Sequence, residues 1–122
     1  MSATLAGRDL VQAALNCTDL PRSVGFYRDV LGLPLMFETN GMAFFQLGNC
    51  RLMIGRGESG SGGGCLYLDA PDLPSLGEAL EGRGVVFLGP AETVQKTTGG
   101  DLKLRFFRDP DGNLLALMGV VA

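Results

Sequence analysis

Leu15-Asn16-Cys17-Thr18-Asp19-Leu20-Pro21-Arg22-Ser23-Val24-Gly25-Phe26-Tyr27-Arg28-Asp29-Val30-Leu31-Gly32-Leu33 reads as a strand end, a capped helix and a glycine stop. Thr18 or Asp19 can accept hydrogen bonds from the free N–H groups of a first helical turn. Pro21 suits that turn, because its missing N–H would have no partner there. Val24, Tyr27 and Leu31 recur at helical spacing, and Phe26 and Val30 widen the apolar stripe. Gly32 can take the left-handed conformation that ends a helix. A weaker copy runs from Leu68-Asp69-Ala70-Pro71-Asp72-Leu73-Pro74 to Gly82-Arg83-Gly84-Val85. Asp-Leu-Pro opens both segments and glycine closes both. The chain therefore reads as an internal duplication, and a site is expected between its halves.

Outward from the first helix, strand signals surround it. Residues 10–17 alternate, with Val11, Ala13, Leu15 and Cys17 on one face and Gln12, Ala14 and Asn16 on the other. Strands are predicted at 34–39, 42–47 and 50–54, with Asn40-Gly41 and Gly48-Asn49 as turns. These complete one βαβββ module over 10–54. Residues 55–64 are rich in glycine. No Gly-Lys-Ser/Thr follows them, so they read as a connector rather than a phosphate loop.

The second module is predicted over 65–121. Its first strand is 65–70, with Leu66, Leu68 and Ala70 opposite Cys65, Tyr67 and Asp69. A helix capped by Asp72, striped by Leu73, Leu76 and Leu80 and stopped at Gly84 follows. A strand at 85–88, a polar loop from Ala91 to Asp101, a strand at 102–108, a turn at Asp109–Asn113 and a last strand at 114–121 complete it. The loop 91–101 reads either as a mobile lid or as a plain surface loop.

Each helix can cover only one face of its sheet. Two modules joined edge to edge would curl into an open cup lined by the more polar faces, with Gln12 and Cys65 facing each other across it. The fold class is thus α+β, two tandem βαβββ modules forming one domain over 1–122.

Composition narrows the function. At 122 residues the chain can bury a core without staples. Nineteen glycines suit many short strands rather than a helical bundle. A net charge of −3 without any basic run argues against nucleic acid. The N-terminal residues carry no apolar core of a secretory signal, and no apolar run reaches membrane-spanning length. Three widely spaced cysteines make neither a disulfide framework nor a zinc pattern. They read as reduced thiols of a cytoplasmic protein.

The segments Leu15–Leu20, Phe26–Gly32 and Phe107-Arg108-Asp109-Pro110-Asp111-Gly112-Asn113 resemble the vicinal oxygen chelate superfamily. That group holds glyoxalase I, extradiol dioxygenases, fosfomycin-resistance proteins and bleomycin-resistance binding proteins. The resemblance spans about residues 10–119. It implies paired βαβββ modules, a U-shaped cleft and a homodimer that covers exposed strand edges. It also implies a divalent metal held from four strand positions, which fall here on Gln12, Met53, Cys65 and Ala116.

The chain contains no histidine. Ala116 offers no donor, Gln12 is a weak neutral ligand, and Met53 and Cys65 are soft ligands suited to Cu(I). No metal and no cofactor are therefore expected. The expected cleft is Gln12, Ala14, Asn16, Arg51, Met53, Cys65, Tyr67, Asp69, Lys103 and Ala116. Tyr67, Asp69 and Lys103 are the candidates for acid–base work. Cys65 lacks a histidine partner and reads as an inert thiol. Arg51, Lys103 and Arg105 would favour an anionic or carbonyl-bearing ligand. Among Met36, Phe37, Met42, Phe44 and Met53 some must line the cup, where aromatic rings can stack on a planar ligand. The leading expectation is a metal-free small-molecule-binding protein. The alternatives are a glyoxalase- or dioxygenase-type metalloenzyme with atypical ligands, and a metal-free isomerase or cyclase.

Overall fold

The computed structural model describes residues 4–57 and 64–122. Residues 58–63, in the stretch read as a connector, lie outside the described residues. The first module runs β1 (Gln12–Cys17), α1 (Leu20–Gly25), β2 (Leu35–Thr39), β3 (Met42–Leu47) and β4 (Cys50–Arg56). The second runs β5 (Cys65–Asp69), α2 (Leu73–Gly82), β6 (Glu92–Thr97), β7 (Gly100–Arg108) and β8 (Leu114–Val121). Each module makes one four-stranded sheet, ordered β1-β4-β3-β2 and β5-β8-β7-β6. The first strand of each pairs in parallel with the last, and the other ladders are antiparallel. Among the described residues no helix is long and apolar enough to cross a membrane.

The opening helix is capped by Asp19, whose Oδ1 accepts the Arg22 N–H at 3.2 Å. It does not continue as one α-helix. From Phe26 to Val30 the turn widens, and the Leu31 N–H donates to Phe26 O, five residues back, at 2.9 Å. Gly32 then takes φ 78° and ends the segment, and Gly84, at φ 98°, does the same after α2. Asp72 stands at the N-cap of α2 without a side-chain capping bond.

Strand alternation sends Ala13, Leu15, Cys17, Phe45, Leu52 and Ile54 toward α1. In the second module it sends Leu66, Leu68, Phe107, Leu115 and Leu117 toward α2. These residues join Val24, Tyr27, Leu73 and Leu80 in one buried cluster shared by both modules. Each fully buried Leu or Phe contributes roughly 1.5–3 kcal/mol.

Three differences from the sequence reading have physical causes. The second strand of the second module is Glu92–Thr97, within the stretch read as a polar loop. Over 85–88 only an isolated bridge, Phe87 to Phe107, forms. β6 is an exposed edge strand throughout, so it carries no apolar alternation to betray it, while Val86 and Leu88 are apolar yet exposed. Because Glu92–Thr97 is laddered to β7, this stretch is not a free lid. β4 also extends through Gly55 and Arg56, two residues into the expected connector. Finally, among the described residues the two sheets do not join into one ladder, so β1 and β5 are both edge strands there.

The modules are instead locked by the β7–β8 turn. The Asp111 carboxylate accepts from the Thr18 N–H at 2.9 Å, the Thr18 hydroxyl at 2.8 Å, the Arg22 Nη2 at 3.2 Å and the Ser23 hydroxyl at 3.1 Å. Asp109 accepts the Tyr27 hydroxyl at 2.7 Å and, on its own turn, the N–H groups of Asp111 and Asn113. Asn113 Nδ2 donates to Asn16 O at 2.8 Å.

Candidate functional site

The ladder registers decide which of the expected residues meet. In the first sheet Gln12 lies beside Arg51, Ala14 beside Met53 and Asn16 beside Gly55. Phe44 is opposite Met53, Gln46 opposite Arg51, and Phe37 opposite Phe44. Side chains two residues apart share a face, so Gln12, Ala14, Asn16, Arg51 and Met53 share theirs with Phe37, Phe44 and Gln46, away from α1.

A connected cluster results. Arg51 Nε and Nη2 both donate to Gln12 Oε1, at 2.9 and 2.7 Å. The Gln12 amide nitrogen reaches Met53 Sδ at 4.0 Å. The guanidinium carbon lies 5.0 Å from the centroid of the Phe44 ring, within cation–π range. Phe37 stacks on Phe44 with centroids 4.5 Å apart and 22° between planes.

The remaining residues belong to the second sheet. Cys65, Tyr67 and Asp69 pair in register with Leu114, Ala116 and Met118, on the face away from α2. The Tyr67 ring meets the edge of Phe106 at 6.3 Å. Cys65, Tyr67 and Asp69 also border a cavity of about 570 Å³ along the free edge of β5. Leu10, Ala13, Leu47 and Cys50 of the first module form its other wall. That volume is in the range of small-molecule sites. Burial pushes the Cys65 thiol up, offset only in part by its hydrogen bond with Tyr67. A thiol shifted that way is a poor nucleophile at neutral pH.

Lys103 does not join them. It shares the α2 side of β7 with Arg105. Arg105 there donates to Gly89 O at 3.0 Å, stacks on Phe87 at 4.0 Å and pairs with Glu81 of α2 at 3.6 Å. The expected site therefore splits into Gln12, Ala14, Asn16, Arg51 and Met53 on one sheet and Cys65, Tyr67, Asp69 and Ala116 on the other. Among the described residues no hydrogen bond or ring contact joins Gln12 to Cys65.

The four positions where the resemblance would place metal ligands do not fit a divalent ion. Ala116 carries no donor. Gln12 Oε1 already takes two bonds from a guanidinium, and a cation would have to sit beside that positive charge. Among the described residues no group of three or more His, Cys, Asp or Glu side chains is placed to hold a metal.

Sequence reading missed Phe106, which lies against Tyr67. It also took Asp109 and Asp111 only as turn formers. The one partial signal was Ser23, a hydroxyl next to Val24 of the apolar stripe, which is fully buried and so needs a polar partner.

The Glyoxalase/Bleomycin resistance protein/Dioxygenase superfamily matches the chain over residues 9–117. No curated protein matches it. Among solved structures, a glyoxalase/bleomycin resistance protein/dioxygenase from Alicyclobacillus acidocaldarius superposes with a TM-score of 0.75 at 18% identity, covering 93% of this chain and 92% of its own. TnmS3, an antibiotic binding protein from Streptomyces sp. CB03234, gives 0.74 at 21% identity, covering 96% and 99%. A lactoylglutathione lyase from Agrobacterium tumefaciens gives 0.69 at 23% identity, covering 92% and 93%. At these identities the structural likeness is one of fold.

Proposed function

The chain belongs to the Glyoxalase/Bleomycin resistance protein/Dioxygenase superfamily, and from that premise we propose that it is a metal-free small-molecule-binding protein holding a flat, partly apolar ligand. The observation that carries this reading is the use made of Gln12. In a chelating site the residue at this position would aim its donor at a metal. Here its oxygen is spent on Arg51 and its nitrogen on Met53. A structural neighbour that binds an antibiotic supports binding as the work of this fold, and a lyase neighbour marks the competing reading. Free Cys17, Cys50 and Cys65 support a reducing, cytoplasmic setting. The unpaired edges of β1 and β5 support a homodimer, which sedimentation would detect as a doubled mass.

Calorimetric titration of metal-stripped protein with Zn²⁺, Mn²⁺, Fe²⁺ and Ni²⁺ tests the proposal. No saturable uptake is expected. A site of about micromolar affinity, near −8 kcal/mol, that disappears in Gln12→Ala would overturn it.

A further inference from the structure

The cavity along the edge of β5 is walled largely by apolar side chains. Leu10 and Leu47 of the first module stand on one wall, Leu66 and Leu68 of the second on the other, around a volume of about 570 Å³. Leu10 is 71% exposed and Tyr67 54% exposed, so apolar surface lies open to water at this cavity. A ligand that covers it gains the free energy of apolar burial.

Few polar groups break this lining, and most are already engaged. The Cys50 thiol donates to Arg51 O at 3.6 Å and the Cys65 thiol to Leu66 O at 3.7 Å. Tyr67 makes its hydrogen bond with Cys65. Asp69 is the one charged residue among the described residues that line the cavity. Among the described residues no cation stands within ion-pair distance of it. A carboxylate accepts hydrogen bonds and, when ionised, donates none. The basic side chains lie elsewhere. Arg51 is held by Gln12 on the outer face of the first sheet, and Lys103 and Arg105 are on the α2 side of β7. An anion entering this cavity meets a like charge, whereas a cation meets an acceptor within reach of the same apolar walls.

We infer that the cavity along β5 binds a hydrophobic ammonium ion, an aromatic body that carries a protonated alkylamine. This inference deepens the metal-free binding reading by naming the ligand class, and rests on it. The ammonium group donates to the Asp69 carboxylate, and the ring system covers the leucine walls beside Tyr67. Tyr67 and Asp69 lie two residues apart on one face of β5, and both border the cavity, so one ligand can touch both. The net charge of −3 on the chain favours the approach of such a cation.

The test compares three probes that share a naphthyl ring on the full chain: 2-naphthylmethylamine, protonated at neutral pH, the neutral 2-naphthylmethanol and the anionic 2-naphthoate. Titration calorimetry reads affinity, and NMR of the leucine methyl and Tyr67 ring signals reads the place. The expected result is saturable binding of the amine with shifts at Leu10, Leu66 and Tyr67. The amine should bind about fivefold tighter than the alcohol, the scale of an ion pair at an exposed carboxylate, and the acid more weakly than either. Asp69 is exposed and makes no side-chain bond among the described residues. Asp69→Asn should therefore keep the melting temperature while bringing amine and alcohol to equal affinity. Leu10→Ser, also at an exposed position, should weaken both by the same factor.

Equal affinity of the wild type for amine and alcohol would overturn the inference. So would a preference for the acid, a preference for the amine that survives Asp69→Asn, or shifts confined to Phe37 and Phe44 on the first sheet. Silence with all three probes would also overturn it. Shifts at Leu10 and Leu66 that follow protein concentration instead of probe would assign the cavity to a second copy of the chain, and would overturn it as well. The metal-free reading falls on different data, the metal titration, so the two failures are distinguishable.

Discussion

Asp111→Ala is expected to destabilise the fold by about 3 kcal/mol, the scale for removing one partner of a buried charged network. In a chain of this size that lowers the melting temperature by roughly 10 °C. The Asp111 side chain is only 2% exposed. Its removal leaves the Thr18 N–H and hydroxyl, the Ser23 hydroxyl and Arg22 without their acceptor. Ser23 is fully buried and cannot turn to water for a replacement. Because these donors sit in the first module and Asp111 in the second, the loss should weaken the contact between modules. Thermal melts of wild type and variant check this, and a change below about 1 kcal/mol would contradict a role beyond that of an ordinary surface turn.

The same carboxylate gives a pH dependence. Burial by itself would raise the Asp111 carboxyl, but hydrogen bonds from Thr18 and Ser23 and the charge of Arg22 outweigh it. They hold the group below the ordinary value of 3.8. A lowered folded-state value means that its stabilisation is complete above the unfolded value and is lost as pH falls through the folded one. Wild type should therefore lose stability on acidification below about pH 4. Asp111→Asn, less stable at neutral pH, should lose less over that window, so the two melting curves should converge.

Gly119→Ala is expected to cost at least about 3 kcal/mol, by steric overlap in a packed interior. A Cβ at this position of β8 would overlap the carbonyl oxygen of Ala70 and lie 3.0 Å from the Pro71 nitrogen. Both are backbone atoms at the junction of β5 and α2, and that junction is tied to β8 by the Ala70 N–H bond to Met118 O at 2.8 Å. Neither side can retreat without breaking the ladder. Gly82→Ala is the control. Nothing lies within 4 Å of the Cβ that alanine would add there, and the φ of Gly82 is not positive, so the change should be neutral or stabilise by up to about 1 kcal/mol. Chemical denaturation of both variants decides. A Gly119→Ala protein as stable as wild type would show that the β5–α2 junction can move.

The candidate site was legible as a set of faces, not as a constellation. Period-two alternation placed Gln12, Ala14 and Asn16 on one face and Cys65, Tyr67 and Asp69 on one face, because side-chain direction in a strand is a local property. It could not tell which face of β7 turns toward α2, since Lys103 and Arg105 alternate with Leu102, Leu104 and Phe106 and either set could be outward. Arg105 settles it through Phe87, Gly89 and Glu81, none of which is its neighbour in sequence. The clasp of Asp111 on Thr18 was hidden for the same reason.

By itself, the sequence determined the repeated βαβββ plan, the Asp19 cap of the first helix, the glycine stops after both helices and the absence of histidine ligands. Those follow from local steric rules and residue chemistry, which act over a few positions. Only the tertiary structure decided that Glu92–Thr97 is a strand, since an edge strand is defined by its ladder partner and not by its own pattern. Only it decided that β1 and β5 stay edge strands in separate sheets, and that Gln12 serves Arg51. Parallel registry brings those two side chains together across 39 residues of chain, and no local pattern encodes that closure.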